Sequence, residues 1–340
     1  MALRGSWEQL SAAALARFGY REGSRIIALA ESSDNVVFLV DGASGFNNLS
    51  KAVLRISKRP GVDVQFEVDA LQFLTDRGSA VVTAIPTTDG KPWVKLSGDA
   101  VGVLFPFVEG ATGQVAPHSY SPGRARQAGL VLGDLHRHAV DFVPHSPRRR
   151  TAYTELQRVI GFSDEFQRRY AGGARFVQRV EDALVFAARS AKDLPLGLLH
   201  NDYRPQNVLF DDRDLATAVI DWDWSCFGPL ISDLALGALE WSFADGAAGP
   251  HWPSFEAFLE GYCVRAPDLR VTKKDLFSWI AVVSLASAST YLCDRLYGTQ
   301  PETVETSYMF TKHLFFSRMA QSGTNTKTGN AGHLTVDPAG

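Results

Sequence analysis

A chain of 340 residues, 45% of them hydrophobic and 21% charged, has the length for two lobes and the apolar material for packed cores. A formal charge of −3 offers no basic field to nucleic acid or to an anionic membrane, so neither is an expected partner. Cys226, Cys263 and Cys293 are isolated, without the paired spacing of a zinc site or disulfide framework, and predict reduced thiols in a cytoplasmic protein; separately, a monomer or homodimer is expected.

Residues 1–30 mix charges with short apolar stretches, and no uninterrupted apolar run of membrane-spanning length is apparent anywhere in the chain. Strand-like runs follow at Arg25–Leu29, Val36–Val40 and Lys51–Ser57, the first two separated by a polar turn, which is an antiparallel signature. Phe66, Ala70, Leu71 and Leu74 recur at helical spacing and predict a helix over Val64–Arg77. Val101–Val108 reads as a buried strand that Pro106 brings to its end, since proline has no N–H for the ladder; the crossing to a second lobe is expected at Phe107–Gly110. Helical periodicity then covers Ala125–Ala139, Glu155–Tyr170 and Phe176–Ala191. Short apolar pieces at Leu196–Leu199, Val208–Phe210 and Thr217–Ile220 interrupt it, and helices resume over Asp233–Phe243, Phe255–Val264, Asp275–Leu296 and Thr303–Met319. This order predicts an α+β protein: a small antiparallel β-rich N-terminal lobe (1–108), a larger mainly helical C-terminal lobe (109–320), and a flexible tail (321–340) too poor in apolar residues to order itself.

The chemistry concentrates in His200-Asn201-Asp202-Tyr203-Arg204-Pro205-Gln206-Asn207, a polar loop held between two apolar pieces, and in Asp221, fourteen residues after Asn207 at the end of a strand-like run. Two carboxylates and an amide are the set that phosphoryl transfer needs. One carboxylate faces the acceptor hydroxyl, while the other and the amide oxygen hold Mg²⁺, a hard ion, on the phosphates.

With Ile220-Asp221-Trp222-Asp223, Gly228-Pro229 and Asp233-Leu234-Ala235, this loop resembles the aminoglycoside phosphotransferase family, which includes homoserine, choline and hydroxylysine kinases. Asn201 and Arg204 stand where that family more often has Gly and His, and Asp-Trp-Asp stands where protein kinases have Asp-Phe-Gly. The resemblance implies a protein-kinase-like two-lobed fold and transfer of the γ-phosphoryl of ATP or GTP to a small-molecule hydroxyl. The acceptor would be an aminoglycoside-like antibiotic (and the role antibiotic resistance), an amino alcohol, a hydroxy amino acid or a nucleoside-type metabolite. It assigns Asp202 as catalytic base, Asn207 and Asp221 as Mg²⁺ ligands, and His200 and Asp233 as supports of the loop; ordinary core polar groups are the plainer alternative for the last two.

On the third strand Arg55 stands where kinases commonly carry the phosphate-contacting lysine, with Glu67 on the following helix as its partner; Lys51 is a second candidate on the same face. Ser32, Ser33 and Asn35 occupy the position of a phosphate-covering turn, and Phe105, Phe107 and Val108 the wall of an adenine pocket. For the acceptor, Asp223, Trp224, Trp241 and Arg204 are candidates, and an excess of carboxylates between Asp221 and Arg270 leans towards an amine. His136 and His138, two apart on a helix, diverge by about 200° and make a poor metal pair. Arg148–Arg150 reads as a solvated basic loop. A protein kinase should show a closing Ala-Pro-Glu after Asp221, and there is none; a catalytically silent nucleotide-binding protein is the remaining alternative.

Overall fold

The computed structural model describes residues 2–20, 25–31, 35–42, 50–114, 120–145, 148, 151–266, 271–297 and 303–322. Ser32 and Ser33 and the tail from 323 lie outside them. The chain forms two compact units. The first comprises Met1–Gly110, Val143–Pro147 and Ala218–Asp223; the second comprises Ala111–Phe142, Arg148–Thr217 and Trp224–Gly340.

The first unit is built on one antiparallel sheet. Strands β1 (Arg25–Glu31), β2 (Asn35–Asp41), β3 (Lys51–Ser57), β4 (Val94–Lys95) and β5 (Val101–Pro106) lie in the order β1-β2-β3-β5-β4. Side chains alternate across a strand, so the parity of β3 decides the site. Ala52, Leu54 and Ile56 point into a core made with Val36, Phe38, Val40, Leu104 and the helix α1 (Ala2–Arg17), which contributes Ala14 and Leu15, followed directly by Phe18. The opposite parity puts Arg55 on the other face, where Val101 and Val103 pack with Val64 and Val68 of α2 (Gly61–Thr75). The reading of residues 1–30 missed α1: its first two turns are mostly small or polar, and it is held by burial of Trp7, Ala14 and Leu15, with Phe18 just after it, a large apolar side chain contributing about 1.5–3 kcal/mol when fully buried. The segment from Ala218 joins this unit by a parallel bridge from Val219 to Val81, its N–H donating to Ala80 at 2.8 Å. Asp221 therefore groups with the first unit, whereas the division at residue 108 had assigned it to the second lobe.

The second unit is mainly helical. Short strands β6 (Ala111–Thr112), β7 (Leu196–Leu199), β8 (Val208–Phe210), β9 (Ala216–Val219) and β10 (Cys226–Pro229) form two small ladders, β6-β8-β9 and β7 with β10. Around them stand α3 (Pro122–Ala139), α4 (Ala152–Gly161), α5 (Ser163–Arg169), α6 (Gly173–Ser190), α7 (Ile231–Glu240), α8 (Trp252–Arg265), α9 (Lys273–Asp294) and α10 (Tyr308–Gln321). The single helix expected over Glu155–Tyr170 is two, because the chain leaves helical geometry at Phe162. Long and apolar enough to cross a bilayer, α9 contradicts the expectation that no such run exists. Here it is a core helix, buried from Leu276 to Cys293. Helices α3 and α8 pack backbone to backbone: a Cβ on Gly129 would collide with the Phe258 carbonyl, and one on Gly261 with the Arg126 carbonyl.

Candidate active site

In the first unit, Arg55 and Glu67 meet as a fork on a fork, NH1 to Oε1 at 2.8 Å and NH2 to Oε2 at 2.7 Å, both side chains almost wholly buried. Asp223 closes the cluster: its Oδ1 lies 2.5 Å from Arg55 NH1 and accepts from Arg59 NH2, and its Oδ2 accepts from Asn35. Arg59, which the sequence reading did not single out, bonds Glu67 at 3.0 Å and Ser57 Oγ at 3.3 Å and donates to the Asp223 carbonyl. Two guanidinium groups thus balance two carboxylates inside the unit. Burial works against the charge of Arg55, and Asp223, Glu67 and Asp221 together outweigh it, so the group is held charged, above even its ordinary range. Its Nε–H is buried and has no hydrogen-bond acceptor among the described residues. An unmatched cationic donor of this kind suits a phosphate oxygen. Asp223 was expected at the acceptor and instead belongs to this cluster.

Phe105 lies under Arg55, the guanidinium 5.4 Å from the ring centre, and Phe107 lies under Lys51 at 5.2 Å. Lys51 pairs with Glu109 at 3.2 Å rather than with Glu67, and Val108 is half-buried. Asp221 sits at φ 61°, a left-handed conformation that costs a non-glycine residue of order 1 kcal/mol or more and concentrates at functional sites.

The catalytic-type loop belongs wholly to the second unit. Asn201 also has positive φ, 63°, which explains why glycine is common at this position and why asparagine, whose short polar side chain tolerates it, stands here. Asp233 on α7, almost fully buried, holds the loop by its backbone: Oδ2 accepts from the His200 N–H and Oδ1 from the Asn201 N–H at 2.5 and 2.7 Å. His200 Nδ1 accepts from the Asp202 N–H at 3.2 Å, and Tyr203 donates to the Ala128 carbonyl of α3 at 2.8 Å. Burial, then Asp233, pushes that phenol well above its usual range, so it stays a donor. Asn207 spends its amide N–H groups on the Asp202 carbonyl and Oδ2, both at 2.9 Å. That leaves Asn207 Oδ1 as the atom for a ligand, and a neutral amide oxygen is a hard donor suited to Mg²⁺. Among the described residues no group of three or more His, Cys, Asp or Glu is set for a metal.

Asp202 lines a cavity of about 220 Å³ in this unit with Asn201, Arg204, Trp224, Glu155 and Glu240, over an apolar wall that includes Leu236, Val283 and Met309. Among the described carboxylates between Asp221 and Arg270, Glu240 alone lines it; Glu155 of α4 joins it from outside that stretch. Each carboxylate has a cation: Arg204 Nε is 3.2 Å from Asp202, Arg158 is 2.5 Å from Glu155, and buried Lys312 of α10 is 3.1 Å from Glu240. Local acidity is therefore largely neutralised within the protein. Trp241 is no part of the lining; it is buried against Phe210, ring centres 6.0 Å apart. Arg148 corrects another expectation: it is buried and donates to the Ser225 carbonyl at 2.9 Å, while Arg149 and Arg150 lie outside the described residues. After Asp223 the chain passes through β10, paired with β7, directly into α7, leaving no room for a protein-kinase activation segment.

The family model of the phosphotransferase enzyme family (APH) matches residues 25–272. The homoserine kinase of Pseudomonas aeruginosa (strain UCBPP-PA14) is 28% identical over 268 residues, 78% of this chain and 78% of its own length. Among solved structures, a microcompartment-associated aminopropanol kinase superposes with a TM-score of 0.68 at 19% identity, covering 92% of this chain and 98% of the other. An amicoumacin kinase in complex with AMP-PNP, Ca²⁺ and Ami does so with a TM-score of 0.68 at 15% identity, covering 96% and 95%. The kinase-like fold expected from the loop motif is thereby shown.

Proposed function

This chain belongs to the phosphotransferase enzyme family, and on that premise we propose that it transfers the γ-phosphoryl group of ATP to the hydroxyl of a small amine-bearing acceptor, an amino alcohol or a hydroxy amino acid. The observation that carries the acceptor class is the cavity beside Asp202. At about 220 Å³ it is below the ~300–1,000 Å³ usual for drug-sized ligands, which favours a molecule of few heavy atoms over a multi-ring antibiotic. Glu240, whose Oε1 is held by Lys312, lines the cavity and is the carboxylate proposed to meet an ammonium group of the acceptor. The homoserine and aminopropanol kinases to which the chain is similar act on acceptors of that size. ATP as donor accords with the AMP-PNP bound by the amicoumacin kinase, and the reaction belongs in the cytoplasm, where ATP is supplied.

In the proposed reaction the acceptor oxygen attacks Pγ, the bond from Pγ to the bridging oxygen of the β-phosphate breaks, ADP leaves, and the hydroxyl proton passes to Asp202. Arg204, paired with Asp202, holds the carboxylate in one orientation. Arg55, braced by Glu67, offers its charge to the phosphates. Mg²⁺, when bound, would supply charge neutralisation on the phosphates; Asn207 Oδ1 of the second unit and, separately, the Asp221 carboxylate of the first are each oxygen donors of the kind it takes. A transfer screen tests the reading, pairing ATP and GTP with homoserine, aminopropanol, choline, hydroxylysine, nucleosides and aminoglycosides. Transfer from ATP to a small amino alcohol or hydroxy amino acid is expected. A preference for a multi-ring antibiotic would overturn the size argument, and nucleotide binding with no transfer to any acceptor would leave a silent nucleotide-binding protein.

A further inference from the structure

Helix α9 turns one face to the cavity beside Asp202, and on that face two hydroxyls, Ser287 and Thr290, stand one turn apart among the apolar side chains of Val283 and Ala286. The reaction described above uses neither. Thr290 Oγ1 is 3.0 Å from Glu155 Oε2 of α4 and 3.1 Å from the Ala286 carbonyl. The Ser287 hydroxyl makes no hydrogen bond among the described residues. We propose that Ser287 and Thr290 are specificity-determining residues that read a second hydroxyl on the acceptor, so that the preferred substrate is an amino diol: one hydroxyl at Asp202 receives the phosphate, and the other sits against α9. This rests on the reading of the cavity as the acceptor site.

A hydroxyl has a single hydrogen to donate and two lone pairs with which to accept. Both groups that Thr290 meets, a carboxylate oxygen and a main-chain carbonyl, only accept, so its hydrogen is spent on them. What Thr290 has left to offer the cavity it lines is an acceptor. Glu155 keeps it in that orientation: the carboxylate is buried and is itself fixed by Arg158 NH1 at 2.5 Å, and Arg158 in turn by Asp294 at 2.8 Å. Ser287, whose hydrogen is uncommitted, supplies the complementary donor. An acceptor and a donor one turn apart match a group that both donates and accepts, which a hydroxyl does; an ammonium only donates and a carboxylate only accepts. The charges agree. Glu155 already faces the guanidinium of Arg158, so this wall calls for no second cation, whereas a hydroxyl closed in without a partner costs free energy.

Aminopropanol and aminopropanediol, the same skeleton with a second hydroxyl on the middle carbon, isolate that group; the diol is assayed as each enantiomer. The parent should use one enantiomer of the diol with a kcat/KM about tenfold or more above that of aminopropanol, because a net hydrogen bond is worth roughly three- to tenfold and two are made. Thr290→Val keeps the shape and removes the hydroxyl. It and Ser287→Ala should each cut the ratio about threefold or more, and the double variant should bring it near one, whereas Thr290→Ser keeps it. A ratio of two acceptors on one protein cancels any loss of folded enzyme or of turnover, so a merely structural role would not move it. A parent that uses aminopropanol as well as either diol, or variants that lower transfer to both acceptors alike, overturns the proposal. If the parent phosphorylates neither compound, the kinase reading for small amines fails separately, and calorimetric titration of both compounds into the parent and the double variant decides the recognition alone. Preferential binding of the diol that the double variant loses would uphold it; equal binding, or none, would refute it.

Discussion

Replacing Arg59 by methionine is the most direct test of the buried charge cluster, because it removes one of two cations from a balanced set. Arg59 is nine-tenths buried and makes contacts to Glu67, Ser57 and both the carboxylate and carbonyl of Asp223. Without it Glu67 and Asp223 share Arg55 alone, and the cluster carries one uncompensated buried negative charge. Breaking a buried pair in this way costs about 3–5 kcal/mol, and the lower end applies since Arg55 and Asn35 remain on Asp223. At about 2–4 °C per kcal/mol for a domain of moderate size, a loss of ~3 kcal/mol lowers Tm by about 6–12 °C. Thermal unfolding followed by circular dichroism, at one protein concentration without nucleotide, reads this directly. A solvated pair would contribute ~0–1 kcal/mol and shift Tm by no more than about 4 °C. A variant melting within about 2 °C of the parent would show that the arginine is not charge-coupled to Glu67 and Asp223, and would remove the argument that Arg55 is held by a closed ion cluster.

Asp202→Asn should bind Mg-ATP nearly as the parent does by calorimetry and transfer phosphate at least ~100-fold more slowly, since a general base contributes roughly 10²–10⁴; full activity would sink the mechanism. Arg55→Ala should weaken nucleotide binding strongly while Arg55→Lys keeps a measurable part of turnover, and unchanged kinetics in the alanine variant would take Arg55 out of the site. Burial of His313, against the carbonyl of Ala281 that it bonds at 2.8 Å, pulls its pKa down to about 4. The unfolded chain takes up that proton near pH 6.5 and the folded chain does not, so the contribution is complete above about pH 6.5 and lost progressively as pH falls towards 4. Denaturant unfolding from pH 7 to 4.5 should show a steeper loss in the parent than in His313→Gln, and parallel curves would refute it. Burial, then Asp233, pushes the Cys226 thiol up to about 12, so it should resist alkylation at pH 8 until the protein is unfolded; rapid labelling of native protein at Cys226, read by mass spectrometry, would contradict this.

The amino-acid sequence alone determined the reaction class and singled out the loop proposed to carry it. Asp202, Asn207 and Asp221 lie within twenty residues of one another, and a local motif is legible because its spacing does not depend on the rest of the fold. The Arg55–Glu67 pair was legible for the same reason, a strand and the helix that follows it. Tertiary structure decided which other residues stand with them. Asp223 was an acceptor candidate by proximity to Asp221, but Asn35, Arg55 and Arg59 claim its carboxylate, contacts up to 188 residues apart in the chain. Glu155 is one of many helical glutamates in sequence and becomes part of the cavity only because α4 packs on α9, where Thr290 donates to it at 3.0 Å. Lys312, buried on α10, gains its meaning from a partner on α7, since a buried polar group takes its role from whatever satisfies it. Periodicity also joined α4 and α5 across Phe162 and passed over α1, because side-chain spacing reports which face is buried and not where the backbone turns.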